Sequence, residues 1–564
     1  MKRNILSLLF IALTMLGSIA NPKSEIRAVW LTTNSGSDWP KSEFDIETQK
    51  SDLCAILDRL EVANFNTIVL QVQVKGDVMW DSDIQPAMYD ITGNGALDIQ
   101  YDVCEYAIEQ CHNRGMECHA WIVPYRIGST TEAARYNNNR VKHVTTTNPE
   151  LCVLYSGNWY LDPGLPETTD YLVNLYAELI SKHDFDGTNF DYTRYPGSDF
   201  DDAASYALYG DGMTLDDWRR NNINTFVAEF YEMAKEINPD IKVGAAPYGT
   251  YKNVEGYSNT TAYYSVYQDA CQWMQSGNQD LLIPQMYWNE TYGFSPNMTT
   301  WVDNSAGRQL VVGLAPYKMV DNSNNWEAAV ITDQIEKVRA EDGMSGVCFF
   351  RTDHVISTTQ SKIVELYSEL VSDYFQYPAN IVPMDYNGIT KPNAPVNPTI
   401  KYEGTTYTIE WETPELDADN TPIKYYCVYG STSDNVDISD ISKCVGHYIT
   451  DNSFTYSSRS DVMNFVITTF DKNYYESEPT IVSGVSSPEV NALSFDYANG
   501  NITVKSATTI NNIEIISTAG ATVIQKQIES ETAQIDCNSL TNSVYIVNIR
   551  FNNDSNATYK IIRK

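Results

Sequence analysis

From residue 26 to residue 353, short apolar, β-branched runs alternate with longer segments of helical period. The strand-like runs are Ile26–Thr33, Thr67–Val74, Glu117–Ile127, Asp186–Tyr195, Ile241–Tyr248, Leu281–Trp288, Gln309–Tyr317 and Gly346–Asp353. Amphipathic stretches such as Thr48–Val62, Tyr101–Arg114, Thr168–His183, Leu215–Ile237 and Ala328–Glu341 lie between them. Eight strands, each followed by a helix, predict an α/β fold, a (β/α)8 TIM barrel over residues 21–376. A doubly wound open sheet is the alternative, but no Gly-rich phosphate loop follows the first strand. Pro378, Pro383, Pro392, Pro395 and Pro398 mark 377–398 as a Pro-rich linker. Beyond it, short alternating strands predict two small all-β sandwich domains, over 399–485 and 486–564.

The fourth run, Asp186-Gly187-Thr188-Asn189-Phe190-Asp191-Tyr192-Thr193-Arg194-Tyr195, ends in polar and aromatic residues before Pro196-Gly197 opens a loop. Alternation places Asn189, Asp191 and Thr193 on one face and Phe190 and Tyr192 on the other. A carboxylate inside such a strand is costly unless paired or hydrogen-bonded, and barrels of this type keep their chemistry at C-terminal strand ends. The other ends deliver Asp38-Trp39, Asp77, His119, Trp121, Arg126, Tyr248, Gln285, Tyr287, Trp288, Tyr317 and Arg351-Asp353-His354. Together they outline an aromatic, acidic, hydrogen-bonding cleft suited to carbohydrate.

Charge narrows the partners. Lys+Arg 38 against Asp+Glu 73 gives a net charge of −35, which argues against nucleic acid or an anionic membrane. Lys2 and Arg3, the apolar run from Ile5 to Leu16 and the small residues Gly17, Ser18 and Ala20 read as a signal peptide over 1–20. Export is expected, to the cell surface or medium, with the periplasm as the alternative. The ten cysteines form no CxxC or Cys/His metal spacing, so no metal or cofactor is expected. Cys427 and Cys444 are a candidate disulfide. Nothing in the pattern sets an oligomeric state.

Several motifs, in order, make Glu25–Asp353 resemble the glycosyl hydrolase-like 10 family. They are Arg27-Ala28-Val29-Trp30-Leu31-Thr32-Thr33, Gln71-Val72-Gln73 with Gly76-Asp77, and Tyr89-Asp90-Ile91-Thr92-Gly93. His119-Ala120-Trp121, Pro124-Tyr125-Arg126, Leu161-Asp162-Pro163-Gly164, the Asp186 strand and Pro284-Gln285-Met286-Tyr287-Trp288 continue the series. The resemblance implies hydrolysis of O-glycosidic bonds in a polysaccharide or oligosaccharide, with peptidoglycan glycan strands one substrate. Many relatives have two adjacent aspartates where this chain has Asp191-Tyr192. Trp411, Tyr425-Tyr426-Cys427-Val428-Tyr429 and Glu476-Ser477-Glu478-Pro479 resemble a fibronectin type III module. Ile513–Ser517, Val544-Tyr545-Ile546-Val547 and the basic end Lys560–Lys564 resemble the C-terminal sorting domain of the type IX secretion machinery of Bacteroidota, which would then be a partner.

Glycoside hydrolysis normally uses two carboxyl groups, one to protonate the leaving oxygen and one to attack the anomeric carbon or activate water. Asp191 is the first candidate and Glu290, just past the sixth strand, the second. Asp77, Asp162 and Asp353 compete for that role. Arg126, Arg194 and His119 are candidates for orienting carboxylates or sugar hydroxyls, and Asp77, Trp121, Asp162, Tyr248, Gln285, Tyr287, Trp288 and Tyr317 for lining the substrate site.

Overall fold

The computed structural model describes residues 21–563 except 95–98, 385–389, 404–405, 434, 458–462, 483–484, 487–493, 518–520 and 553–555. The expected signal peptide lies outside the described residues. Two compact units emerge: residues up to Ala394 with Pro414–Thr450 and Val466–Pro479, and the remainder from Pro395 onward. The stretch 399–485, read above as one module, is divided between them.

In the first unit eight parallel strands close into a barrel: β1 (Ile26–Leu31), β2 (Thr67–Gln73), β3 (Glu117–Ile122), β4 (Gly187–Phe190), β5 (Lys242–Ala245), β6 (Leu281–Leu282), β7 (Gln309–Leu314) and β8 (Gly346–Phe349). Each is followed by a helix: α1 (Ile46–Val62), α2 (Val103–His112), α3 (Pro166–Lys182), α4 (Leu215–Ile237), α5 (Ala270–Gln275), α6 (Phe294–Asp303), α7 (Ala328–Ala340) and α8 (Ser361–Glu369). The TIM barrel is therefore as expected. Several strands are shorter than their apolar runs; β4 ends at Phe190 and β6 is two residues long.

Period-two alternation splits each strand between two cores. Val29, Leu31, Ile68, Leu70 and Phe190 face the helices, where Phe190 packs edge-on against Tyr176, Phe226 and Phe230. Ala28, Trp30, Val69 and Trp121 point into the barrel. At the N-terminal end the interior is charged. Glu117 Oε1 accepts from Lys242 Nζ at 2.8 Å, and Oε2 lies 3.0 Å from His119 Nε2. Burial pushes the Glu117 carboxyl up, but Lys242, His119 and Lys424 together hold it well below the usual carboxylate range. A Cβ on Gly187 would sit 2.7 Å from the His119 ring, so glycine there makes room for this layer. A Lys242→Ala variant would strip the buried Glu117 charge of its direct cation partner, leaving His119 and the field of Lys424, and chemical denaturation should read a loss of about 3 kcal/mol.

Residues 377–384, expected as linker, run against the barrel underside instead. Arg27 Nη1 donates to Tyr377 O at 2.7 Å, Asn66 Nδ2 to Ala379 O at 3.1 Å, and Gln309 Nε2 to Val382 O at 2.8 Å. Strands Cys444–Ile449, Ile423–Ser431 and Asn464–Asp471 pair side by side, with Tyr425, Cys427, Tyr429 and Phe470 buried around Ile381. From this sheet Lys424 reaches Asp186, at 3.4 Å, just before β4. Cys427 and Cys444 are free thiols.

The second unit contains a sheet of Val396–Glu403, Thr406–Glu412 and Ser453–Ser457 and a five-stranded antiparallel sheet between Ser494 and Arg563. Ile502, Val504, Ile513, Ile515, Val547 and Ile549 are buried in the latter. Among the described residues no helix is long and apolar enough to cross a membrane.

Candidate active site

The C-terminal ends of the strands enclose a cavity of about 300 Å³. Its floor is Trp30, whose indole N–H donates to Asn189 Oδ1 at 3.2 Å, with Trp121 and Phe350 packed at 6.4 and 6.0 Å between ring centroids. Its walls are Thr32, Asn34, Gln71, Arg126, Asp191, Tyr192, Gln285 and Tyr287. Asp191 is the one carboxylate among these lining residues.

Asp191 follows the last residue of β4 and is 6% exposed. Tyr192 N donates to its Oδ1 at 2.8 Å, and Gln285 Nε2 to the same oxygen at 2.9 Å. Gln285 is fixed by a second bond, to Ala246 O at 3.0 Å. Both donors end on Oδ1, so Oδ2 is the oxygen able to carry a proton. Burial raises the Asp191 pKa above the ordinary aspartate value of 3.8; the charge of Arg194, the two donors and the nearby Trp121 indole oppose the rise without cancelling it. Tyr192 has φ +53°, in the left-handed region. That turn swings its ring into the cavity wall, whereas strict alternation had put it on the face opposite Asp191.

Arg194 is stacked between the Tyr192 and Tyr248 rings, 4.2 and 4.4 Å from their centroids. Arg126 begins a three-stranded antiparallel insert between β3 and α3 (Arg126–Ser129, Cys152–Tyr155 and Asn158–Leu161), where its Nη2 donates to Asn158 Oδ1 at 2.9 Å. Gln71 Oε1 accepts from Thr32 Oγ1, Thr33 N and Asn34 N, which orients its NH2 as a spare donor. Behind Tyr287, Tyr317 meets it edge-on at 6.1 Å. Trp288 lies under Gly249, where a Cβ would come within 2.6 Å of its ring.

Four candidate residues fall elsewhere. Glu290 does not line the cavity: it opens a 3-10 turn, its side chain is 47% exposed, and it accepts from Ser295 Oγ at 2.8 Å and pairs with Lys337 on α7 at 3.4 Å. Asp77 is sealed in the loop after β2, where Tyr136 Oη donates to it, and burial raises its pKa. Asp162 accepts from Ser205 Oγ at 2.7 Å and Gly164 N at 2.9 Å, holding the turn before α3. His119 belongs to the charged layer at the opposite end of the barrel. The competitor Asp353 pairs with Lys41 at 3.1 Å, on the rim. Among the described residues no group of three or more His, Cys, Asp or Glu is placed to hold a metal ion.

Residues 25–330, more than half of the 564-residue chain, match the family model described as Glycosyl hydrolase-like 10. The chain belongs to the glycosyl hydrolase-like 10 family. It is 31% identical over 325 residues to the glycosyl hydrolase YngK of Bacillus subtilis, covering 54% of this chain and 63% of that relative. The glycosyl hydrolase DigH of Escherichia coli K12 is 28% identical over 368 residues, covering 58% of this chain and 83% of its own. The chain thus spans less than two thirds of YngK. The glycoside hydrolase domain of PgaB (BpsB) from Bordetella bronchiseptica is 15% identical and covers 62% of this chain and 99% of its own, with a TM-score of 0.43. Residues 498–564 match a secretion system C-terminal sorting domain, which indicates secretion and a surface or extracellular location.

Within this glycosyl hydrolase-like 10 barrel, Trp30, Thr32, Asn34, Gln71, Tyr192 and Phe350 also line the cavity, none of them among the strand-end candidates. Trp30 and Gln71 carried a signal, being large or polar residues on the inward register of β1 and β2. Phe350 carried none, because it follows the last residue of β8 and its run reads as ordinary core.

Proposed function

We propose that this protein is an exported glycoside hydrolase that cleaves O-glycosidic bonds in a polysaccharide, with peptidoglycan glycan strands the leading candidate. The observation that carries the reading is Asp191: a buried carboxyl with one oxygen saturated by donors and the other open, in an aromatic cavity at the C-terminal strand ends of a glycosyl hydrolase-like barrel. Asp191 Oδ2 gives its proton to the leaving glycosidic oxygen as the bond to the anomeric carbon breaks. The spare Gln71 amide and the Tyr287 hydroxyl supply hydrogen bonds to sugar oxygens, and the Tyr192 and Trp121 rings supply stacking surface. With Glu290 outside the cavity, the attacking group is a water rather than a second cavity carboxylate, and it passes its proton to solvent water as the new C–O bond forms. The tail suggests delivery by the type IX secretion machinery, and the strands around Trp411 and Tyr425 suggest a fibronectin type III-like spacer.

A second reading, a non-catalytic glycan-binding barrel, is favoured by the single carboxylate. Mass spectrometry of products separates the two. The full chain is incubated with peptidoglycan strands stripped of peptide, chitin oligomers and plant β-glucans; new oligosaccharides from one substrate are expected. Binding without any product would leave the lectin reading.

A further inference from the structure

The cavity wall carries a cation with no counter-ion. In the barrel Arg27, Arg114, Arg219, Arg308, Arg339 and Arg351 all pair with carboxylates. Among the described residues Arg126, which lines the cavity, has no ion pair, and the hydrogen bond of its guanidinium is the one to Asn158. Its charge is felt by Glu132, but that carboxylate is committed elsewhere: Oε2 is held by Ser129 N and Oγ, and Oε1 faces Lys75 at 3.5 Å. Arg194 is nine-tenths buried, lacks an ion pair, and has an Nη1 with no hydrogen-bond partner, but its charge already acts on Asp191. Arg59 and Arg135 also lack ion pairs, but they cover Tyr367 and Tyr89 and do not line this cavity.

A chain of net charge −35 repels anions at long range, so a guanidinium without an ion pair in the wall of a glycan cavity makes a local exception. From this juxtaposition we infer that the site takes a glycan whose sugar carries a carboxylate, held by Arg126. The inference rests on the hydrolase reading for its setting but not for its test. A guanidinium with most of its N–H groups uncommitted matches a planar carboxylate, and the charge-assisted bond is stronger than one to a hydroxyl. A bound carboxylate near Asp191 also favours its protonated form by like-charge repulsion, which is the form a proton donor needs. Two sugars offer this chemistry: uronic acids, with the carboxylate on C5, and sugars bearing a lactyl ether.

The test is calorimetric binding to the full chain carrying Asp191→Asn, which removes turnover from the measurement. The ligands are peptide-free peptidoglycan oligosaccharides and oligouronates, each beside its carboxyl-reduced alcohol. At least one acidic ligand should bind about tenfold or more tightly than its reduced form. Arg126→Gln should abolish most of that ratio, and Arg126→Lys should retain part of it. Which ligand pair shows the ratio identifies the source of the carboxylate. Equal affinity within both pairs, or a ratio that survives Arg126→Gln in a variant with unchanged melting temperature, would overturn the inference. Selective binding with no turnover by the unmutated chain would instead count against the hydrolase reading and leave this one standing.

Discussion

Asp191→Asn should lower kcat on the natural glycan by a factor of about 10²–10⁴, the range that a positioned general acid contributes. The amide keeps the shape and still accepts from Tyr192 N and Gln285 Nε2, but it has no proton to give. Glycan affinity should stay within a few-fold of the parent. Stability should not fall. Burial raises the folded-state pKa of Asp191, so at neutral pH the ionised group is a cost to the fold, and a neutral amide removes that cost. The same shift fixes the pH dependence: the active form is protonated, so the rate declines as pH rises through the Asp191 pKa, and the variant should lose that limb. Rates over a pH series for both proteins check this; an unchanged kcat, or a limb that persists in the variant, would remove Asp191 from the proton transfer.

A chain ended at residue 376, the boundary that the prolines suggest, should be less stable than one ended at residue 486 by about 5 kcal/mol or more. The cut removes the acceptors of Arg27, Asn66 and Gln309 at Tyr377, Ala379 and Val382, buried or part-buried hydrogen bonds worth roughly 1 kcal/mol each. It also removes the backbone pairing of Glu25 N with Asn380 O at 3.1 Å. Lys424 leaves with it, taking a cation from Asp186 and from the Glu117 layer, and Lys472 no longer pairs with Asp240. Asp186 and Glu117 are the buried charges, and such a charge left uncompensated costs several kcal/mol, whereas the exposed Lys472–Asp240 pair adds little. Thermal melts of the two chains decide the point, and coincident transitions would show that the docked segment is dispensable.

Alternation alone aimed Asn189 and Asp191 inward, because a parallel barrel forces a period of two on every strand. It failed at Tyr192, where β4 has ended and a left-handed residue redirects the ring. Glu290 lies near Tyr287 and Trp288 in sequence, but three residues of turn carry its side chain round to Lys337. Asp77 and Asp162 read as site acids because a buried aspartate that caps a loop has the same sequence appearance as a catalytic one; only their donors, Tyr136 and Ser205, tell them apart. The prolines at 378 and 383 suggested a free linker, yet Ile381 and Met384 between and beside them are buried, an apolar signal that composition averaged away.

The role given to Asp191 is tested most directly by leaving-group dependence. The unmutated chain and Asp191→Asn are compared on two substrates that share the accepted glycan, one ending in a sugar alcohol leaving group and one in an activated phenol. A phenol departs without protonation, so a missing general acid is felt only by the sugar leaving group. The expected result is a loss of about 10²-fold or more on the sugar substrate and a loss of under about tenfold on the phenol. An equal, large loss on both would make Asp191 the attacking group or its base and contradict its assignment as the proton donor.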